Sequence, residues 1–151
     1  MVLRTSNEER EQMNVIQWSE WNMQRYPALR WLFHTPNGGS RNKIEAVKLK
    51  AMGTKSGVAD LCLPCPRGAY CGLFIEMKAA GGRLMDTQKI FLEDMAAVGH
   101  YVATCYSAEI AICILKEYLD LTGTAEMQED NNSVFRTVED LKEGEDDNHG
   151  G

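Results

Sequence analysis

Near the start of the chain Met13, Val15, Ile16, Trp18 and Met23 recur at helical spacing, with Gln17, Glu20 and Gln24 opposite. The pattern predicts an amphipathic helix. Ser6 followed three residues later by Glu9 is a capping box that opens it. Tyr26-Pro27 ends it near Arg25, because the residue before a proline is pushed out of helical geometry. The apolar run Trp31-Leu32-Phe33 is too short for a helix and predicts a strand, and Thr35-Pro36-Asn37-Gly38-Gly39 predicts a turn. Ser40 is placed to cap a second helix, Lys43 to Met52, with Gly53 as its stop. Val58 to Leu63 and Gly72 to Met77 are apolar runs joined by Pro64-Cys65-Pro66-Arg67-Gly68, which predicts a β-hairpin. After the loop Ala80-Gly81-Gly82 come a helix from Asp86 to Val98, a strand from Tyr101 to Tyr106, and a Ser107-capped helix to Leu121, stopped by Gly123. The order predicts an α/β domain, a small mixed β-sheet flanked by helices.

Composition adds compartment and organisation. The chain has 151 residues, of which 44% are hydrophobic and 25% charged, the balance of one globular domain. No stretch approaches the ~20 apolar residues of a membrane helix. The first residues lack a signal-peptide core, and five irregularly spaced cysteines argue against a disulfide framework. A cytoplasmic protein, in a bacterial cell or a phage-infected host, is the expectation, with no membrane partner. The net charge of −6 is unevenly spread: Thr124 to Gly151 holds nine acids and two bases, so residues 1–123 carry a net +1. This predicts a folded domain over 1–123 and an acidic, mobile tail over 124–151. Within Arg41 to Lys55 there are five bases and one acid, a stretch suited to a polyanion.

The candidate chemistry lies on the hairpin. Asp60 falls on its first strand and Glu76 near the end of its second, where facing antiparallel neighbours approach within ~5 Å. Glu76 and Lys78 are two apart and share a face. Adjacent carboxylates repel unless a cation neutralises them, and such an oxygen-rich set suits Mg²⁺ or Mn²⁺. A metal beside an ammonium is a plan for phosphodiester hydrolysis.

Asp60, then Glu76-Met77-Lys78, resembles the PD-(D/E)xK nuclease motif. With Pro36-Asn37-Gly38-Gly39, Lys48-Leu49-Lys50-Ala51-Met52-Gly53, Gly57-Val58-Ala59-Asp60, Gly72 to Lys78 and Gln88, the chain resembles the VRR-NUC family, in its short stand-alone phage and prophage form. The resemblance implies a restriction-endonuclease-like fold, divalent-metal dependence and DNA cleavage. Ala59 stands where the motif name has proline, a position that supplies no ligand. By this resemblance Asp60 and Glu76 are metal ligands with the Met77 carbonyl, Lys78 is the catalytic lysine, and Gln88 contacts the site. An acidic residue of the first helix completes it: Glu8, which shares a face with Gln12, or else Glu11. Asn37 is placed to approach substrate backbone. Arg41, Lys43, Lys50 and Lys55 are the expected phosphate contacts, with Arg83 nearby, and Lys48 is solvated.

Cys62-Leu63-Pro64-Cys65 is half of a zinc spacing with no second half, and there is no nucleotide-binding Gly-x-x-x-x-Gly-Lys loop. Stand-alone relatives imply a homodimer that resolves Holliday junctions, a two-fold enzyme for a substrate of approximate two-fold symmetry. Trp18 and Trp21 are the candidate dimer surface. The alternatives are a flap or other branched-DNA nuclease, and a non-catalytic DNA-binding module of the same fold.

Overall fold

The computed structural model describes residues 5–36 and 42–128. Helix α1 spans Asn7–Trp21, and its capping box is complete: the Glu9 amide donates to Ser6 Oγ at 3.2 Å and the Ser6 amide to Glu9 Oε2 at 2.8 Å. It stops before Arg25. The Asn22 side chain turns back to donate to the Trp18 carbonyl at 2.8 Å, a local bond that competes with continuing the helix. Pro27 then opens a 3-10 helix, Pro27–Trp31, so Trp31 belongs to a helical turn rather than to the expected strand. Strand β1 is only Phe33–His34. Helix α2, Lys43–Ala51, is capped by Asn42, whose Oδ1 accepts from the Ile44 amide at 2.9 Å. Ser40, the expected cap, lies outside the described residues.

Strands β2, Leu61–Leu63, and β3, Leu73–Met77, form the antiparallel hairpin, with Leu61 opposite Ile75 and Leu63 opposite Leu73. Helix α3, Asp86–Ala97, crosses over to β4, Tyr101–Cys105, which pairs parallel with β3. Helix α4, Ala108–Asp120, closes the domain. The sheet order is β1-β2-β3-β4, with antiparallel and parallel pairs in one sheet.

The sheet is covered on both faces, which is why its strands read as nearly continuous apolar runs. Leu61, Leu63, Leu73, Ile75, Met77, Tyr101, Ala103 and Cys105 join Val15 of α1 and Ala111, Ile114, Leu115 and Tyr118 of α4 in the main core. On the other face Val102 packs with Leu92 of α3 and with Ala59, flanked by Phe74 and Phe91. Glu76 alternates with Ile75 and therefore belongs to the α3 face, in line with Phe74.

The chain stays on the body beyond Gly123. The Ala69 amide donates to the Ala125 carbonyl at 2.9 Å, and the Met127 amide to the Tyr70 hydroxyl at 3.1 Å. The packed part therefore includes residues 124–128, and 129–151 lie outside the described residues. Among the described residues no helix is long and apolar enough to cross a membrane.

Candidate active site

Asp60 is the residue just before β2, and the hairpin register brings it beside Glu76. It is held at both ends. Its carbonyl accepts from the Thr35 amide at 3.1 Å and from His34 Nδ1 at 2.7 Å, so that ring nitrogen carries the hydrogen. Its Oδ2 accepts from the Met77 amide at 2.8 Å. Met77 turns its side chain into the main core, which leaves only its main chain beside the site. Lys78 follows β3, pinned by its amide to the Cys105 carbonyl at 2.9 Å.

Glu76 is 1% exposed. Its Oε1 accepts from Gln88 Nε2 at 2.9 Å and lies 3.8 Å from Lys78 Nζ. Gln88 in turn accepts from the Met85 amide at 2.9 Å through its own Oε1, so the first turn of α3 fixes the amide that holds Glu76. Glu76 Oε2 is buried with no hydrogen-bond partner. Burial, reinforced by the Asp60 charge and opposed by Lys78, pushes the Glu76 carboxyl up to about 9.

Glu8 of α1 completes the group: carboxylate oxygens of Glu8, Asp60 and Glu76 lie within 4.8 Å of one another. The three glutamates at the start of the first helix divide by geometry. Glu9 closes its own capping box, and Glu11 Oε2 accepts from the Ala108 amide at 2.6 Å at the start of α4. Only Glu8 faces the hairpin carboxylates. Three carboxylates and a partnerless buried oxygen fit a hard divalent cation, which satisfies oxygen ligands and offsets their repulsion.

Lys43, Lys50 and Lys55 are exposed, as are Lys48 and Arg83. Lys50 and Lys55 line a pocket that Gln88 also borders, whereas Lys43 does not. Asn37 and Arg41 lie outside the described residues. Trp18 packs against the edge of the main core beneath Lys116, unlike Trp21, which is 76% exposed; of the pair, only Trp21 is a free surface. Burial and the neighbouring Cys65 push the Cys62 thiol up to about 11, so it stays a protonated core side chain.

The residue that sequence reasoning missed is Thr104. It is the cross-strand partner of Glu76 on β4, and its Oγ1 is buried without a partner. The only local signal is one polar residue in the run Tyr101-Val102-Ala103-Thr104-Cys105.

A family model described as the VRR-NUC domain matches residues 2–109. A solved structure described as a VRR_NUC domain protein is 30% identical and covers 84% of this chain and 100% of its own, with a TM-score of 0.68. No curated protein matches the chain. The helix-flanked mixed sheet, matched at this level, is the restriction-endonuclease-like fold.

Proposed function

Because the chain belongs to the VRR-NUC family of nucleases, we propose that it is a divalent-metal-dependent DNA endonuclease with Glu8, Asp60, Glu76 and the Met77 carbonyl as its metal ligands. The observation that carries this reading is the partnerless, buried Oε2 of Glu76 inside a cluster of three carboxylates. Mg²⁺ or Mn²⁺ held there supplies a Lewis acid for the scissile phosphate and an acidified water. The side chains do the rest. Gln88 holds Glu76 by Oε1 and leaves Oε2 directed away from that bond. Lys78, buried beside Glu76, presents its ammonium to the phosphate and offsets the charge that develops as water attacks. Asp60 keeps its orientation through the Met77 amide. Lys43, Lys50 and Lys55, with Asn37 and Arg41, contact phosphates and position the DNA without reading its sequence.

The substrate in this reading is branched DNA. Resolution of a four-way junction needs two symmetric nicks, and a closed two-fold homodimer supplies two sites related by one operator. In this reading Trp21, exposed on α1, belongs to the dimer surface. Labelled duplex, single-strand, flap and four-way-junction DNA, each with Mg²⁺, Mn²⁺ or chelator, test the whole reading. Junction cleavage that requires metal and is lost in Asp60→Ala, Glu76→Ala and Lys78→Ala is the expected result. Full cleavage in chelator or by Asp60→Ala overturns it, and a monomer that prefers flaps replaces junction resolution by flap cutting.

A further inference from the structure

Between α2 and the first turn of α3 lies an open pocket of about 400 Å³. Ala46, Leu49 and Met85 give it aliphatic walls, and Lys50, Lys55 and Gln88 give it a polar side. Gln88 is shared with the carboxylate cluster, because its Nε2 is the donor to Glu76 Oε1. The pocket and the candidate metal site therefore adjoin at Gln88. One wall is tightly packed. Gly57, at φ +86°, packs so closely on the Thr87 main chain that a Cβ there would collide with the Thr87 carbonyl.

Size, wall chemistry and charge together select a ligand. The volume falls in the range of sites for small organic molecules, about 300–1,000 Å³. Aliphatic walls suit the face of a single base, and the two ammonium groups suit its phosphate. Among the described residues neither Lys50 nor Lys55 has an ion-pair partner, so both charges are available to an anion. A stacked base pair is excluded, since a base enters a side pocket only after leaving the stack, and that step costs least where the base is already unpaired.

We propose that this pocket takes up one unpaired nucleotide adjacent to the phosphate that is cut. The protein then selects places where a base has left the duplex, such as the core of a junction or the root of a flap. The proposal rests on the nuclease reading for its second half, but the pocket itself is tested without catalysis.

The probe is thymidine 5′-monophosphate, titrated into the full chain and followed by amide chemical shifts. Shifts clustered on α2 and the first turn of α3 are expected. Leu49→Glu, which sets a carboxylate in the pocket against the nucleotide's phosphate, should weaken nucleotide binding about tenfold. The double variant Lys50→Glu, Lys55→Glu should do the same from two exposed positions where folding is not at stake. In parallel, cleavage of a fully paired duplex is compared with that of the same duplex carrying one unpaired nucleotide. Wild-type protein should prefer the unpaired substrate, and the Leu49 variant should lose that preference. Absence of nucleotide binding, shifts elsewhere, or binding unchanged in both variants overturns the pocket. Binding of the free nucleotide with no preference for the unpaired substrate makes it a free-nucleotide site and also overturns the proposal. Pocket-specific binding with no cleavage of any DNA supports the pocket and overturns the nuclease reading instead.

Discussion

At Glu76 two demands meet. The residue is buried on the α3 face of the sheet, yet its carboxyl stands among two other carboxylates. Without a cation the group keeps its proton, with a pKa raised from an ordinary 4.5 to about 9. The folded state then binds a proton that the unfolded chain has released, so stability falls as pH rises through that window. The melting temperature of chelator-treated protein should drop from pH 5 to pH 9. Glu76→Gln, which stays neutral, should flatten that decline, and Mg²⁺ should raise the wild-type melting temperature more at pH 8.5 than at pH 6. A wild-type profile that is flat, or one that rises with pH, contradicts this account. Thr104 gives a second test at the same scale. Its buried hydroxyl makes no hydrogen bond, so Thr104→Val keeps the shape and removes only an unsatisfied polar group. The variant should melt at or above the wild-type temperature, and a marked loss would show that the hydroxyl is satisfied in solution.

Among the elements, α1 carries three neighbouring glutamates with different tasks, and mutation should separate them. Glu11→Ala removes the acceptor of the Ala108 amide at the N-terminus of α4. It should cost about 1 kcal/mol in denaturant unfolding, as for loss of a helix cap, with the metal requirement of cleavage unchanged. Glu8→Ala should do the reverse: unfolding of metal-free protein changes little, while metal-induced stabilisation and cleavage are lost. Equal effects from the two substitutions would erase the distinction. Helix α4 is held by a different force. Its buried residues Ala111, Ile114, Leu115, Tyr118 and Leu119 lie at helical spacing on one face, and Tyr118 also donates to the Cys65 carbonyl at 2.7 Å, pinning the hairpin loop.

For the whole molecule, the features that matter are charge and assembly. Among the described residues the lysines of α2 and the loop after it are exposed and have no ion-pair partner. Replacing Lys43 and Lys50 with alanine should weaken binding to all DNA sequences alike and reduce the log–log salt slope by roughly one unit per lost phosphate contact. A change in sequence preference would mean that α2 reads base edges. Light scattering of the full chain decides the assembly: twice the mass of 17.0 kDa is the expectation. A substitution such as Trp21→Ala on the exposed face of α1 should shift it toward monomer if that face is the interface.

Much of the architecture was legible in the chain itself, because it rests on local rules. Ser6 with Glu9 closes a bond loop within one turn, Gly53 and Gly99 supply left-handed backbone where α2 and α3 stop, and a hairpin of two apolar runs sets Asp60 against Glu76. The period of two along a strand then places Glu76 and Lys78 on one face. Other features depend on contacts between segments far apart in sequence, which no spacing encodes. Trp31 closes a 3-10 turn that Pro27 begins, instead of entering the sheet. The parallel pairing of β3 with β4 is what sets Thr104 beside Glu76. The choice of Glu8 over Glu11 follows from how α1 lies across the sheet and α4: Glu11 meets the free amide of Ala108, and Glu8 meets two carboxylates. The pocket at Gln88 exists because the loop after α2 returns to the first turn of α3, where Gly57 lies against the Thr87 main chain. Local bonding and periodicity determined the elements and the spacing of the motif. Burial and long-range packing alone decided which side chains meet around it.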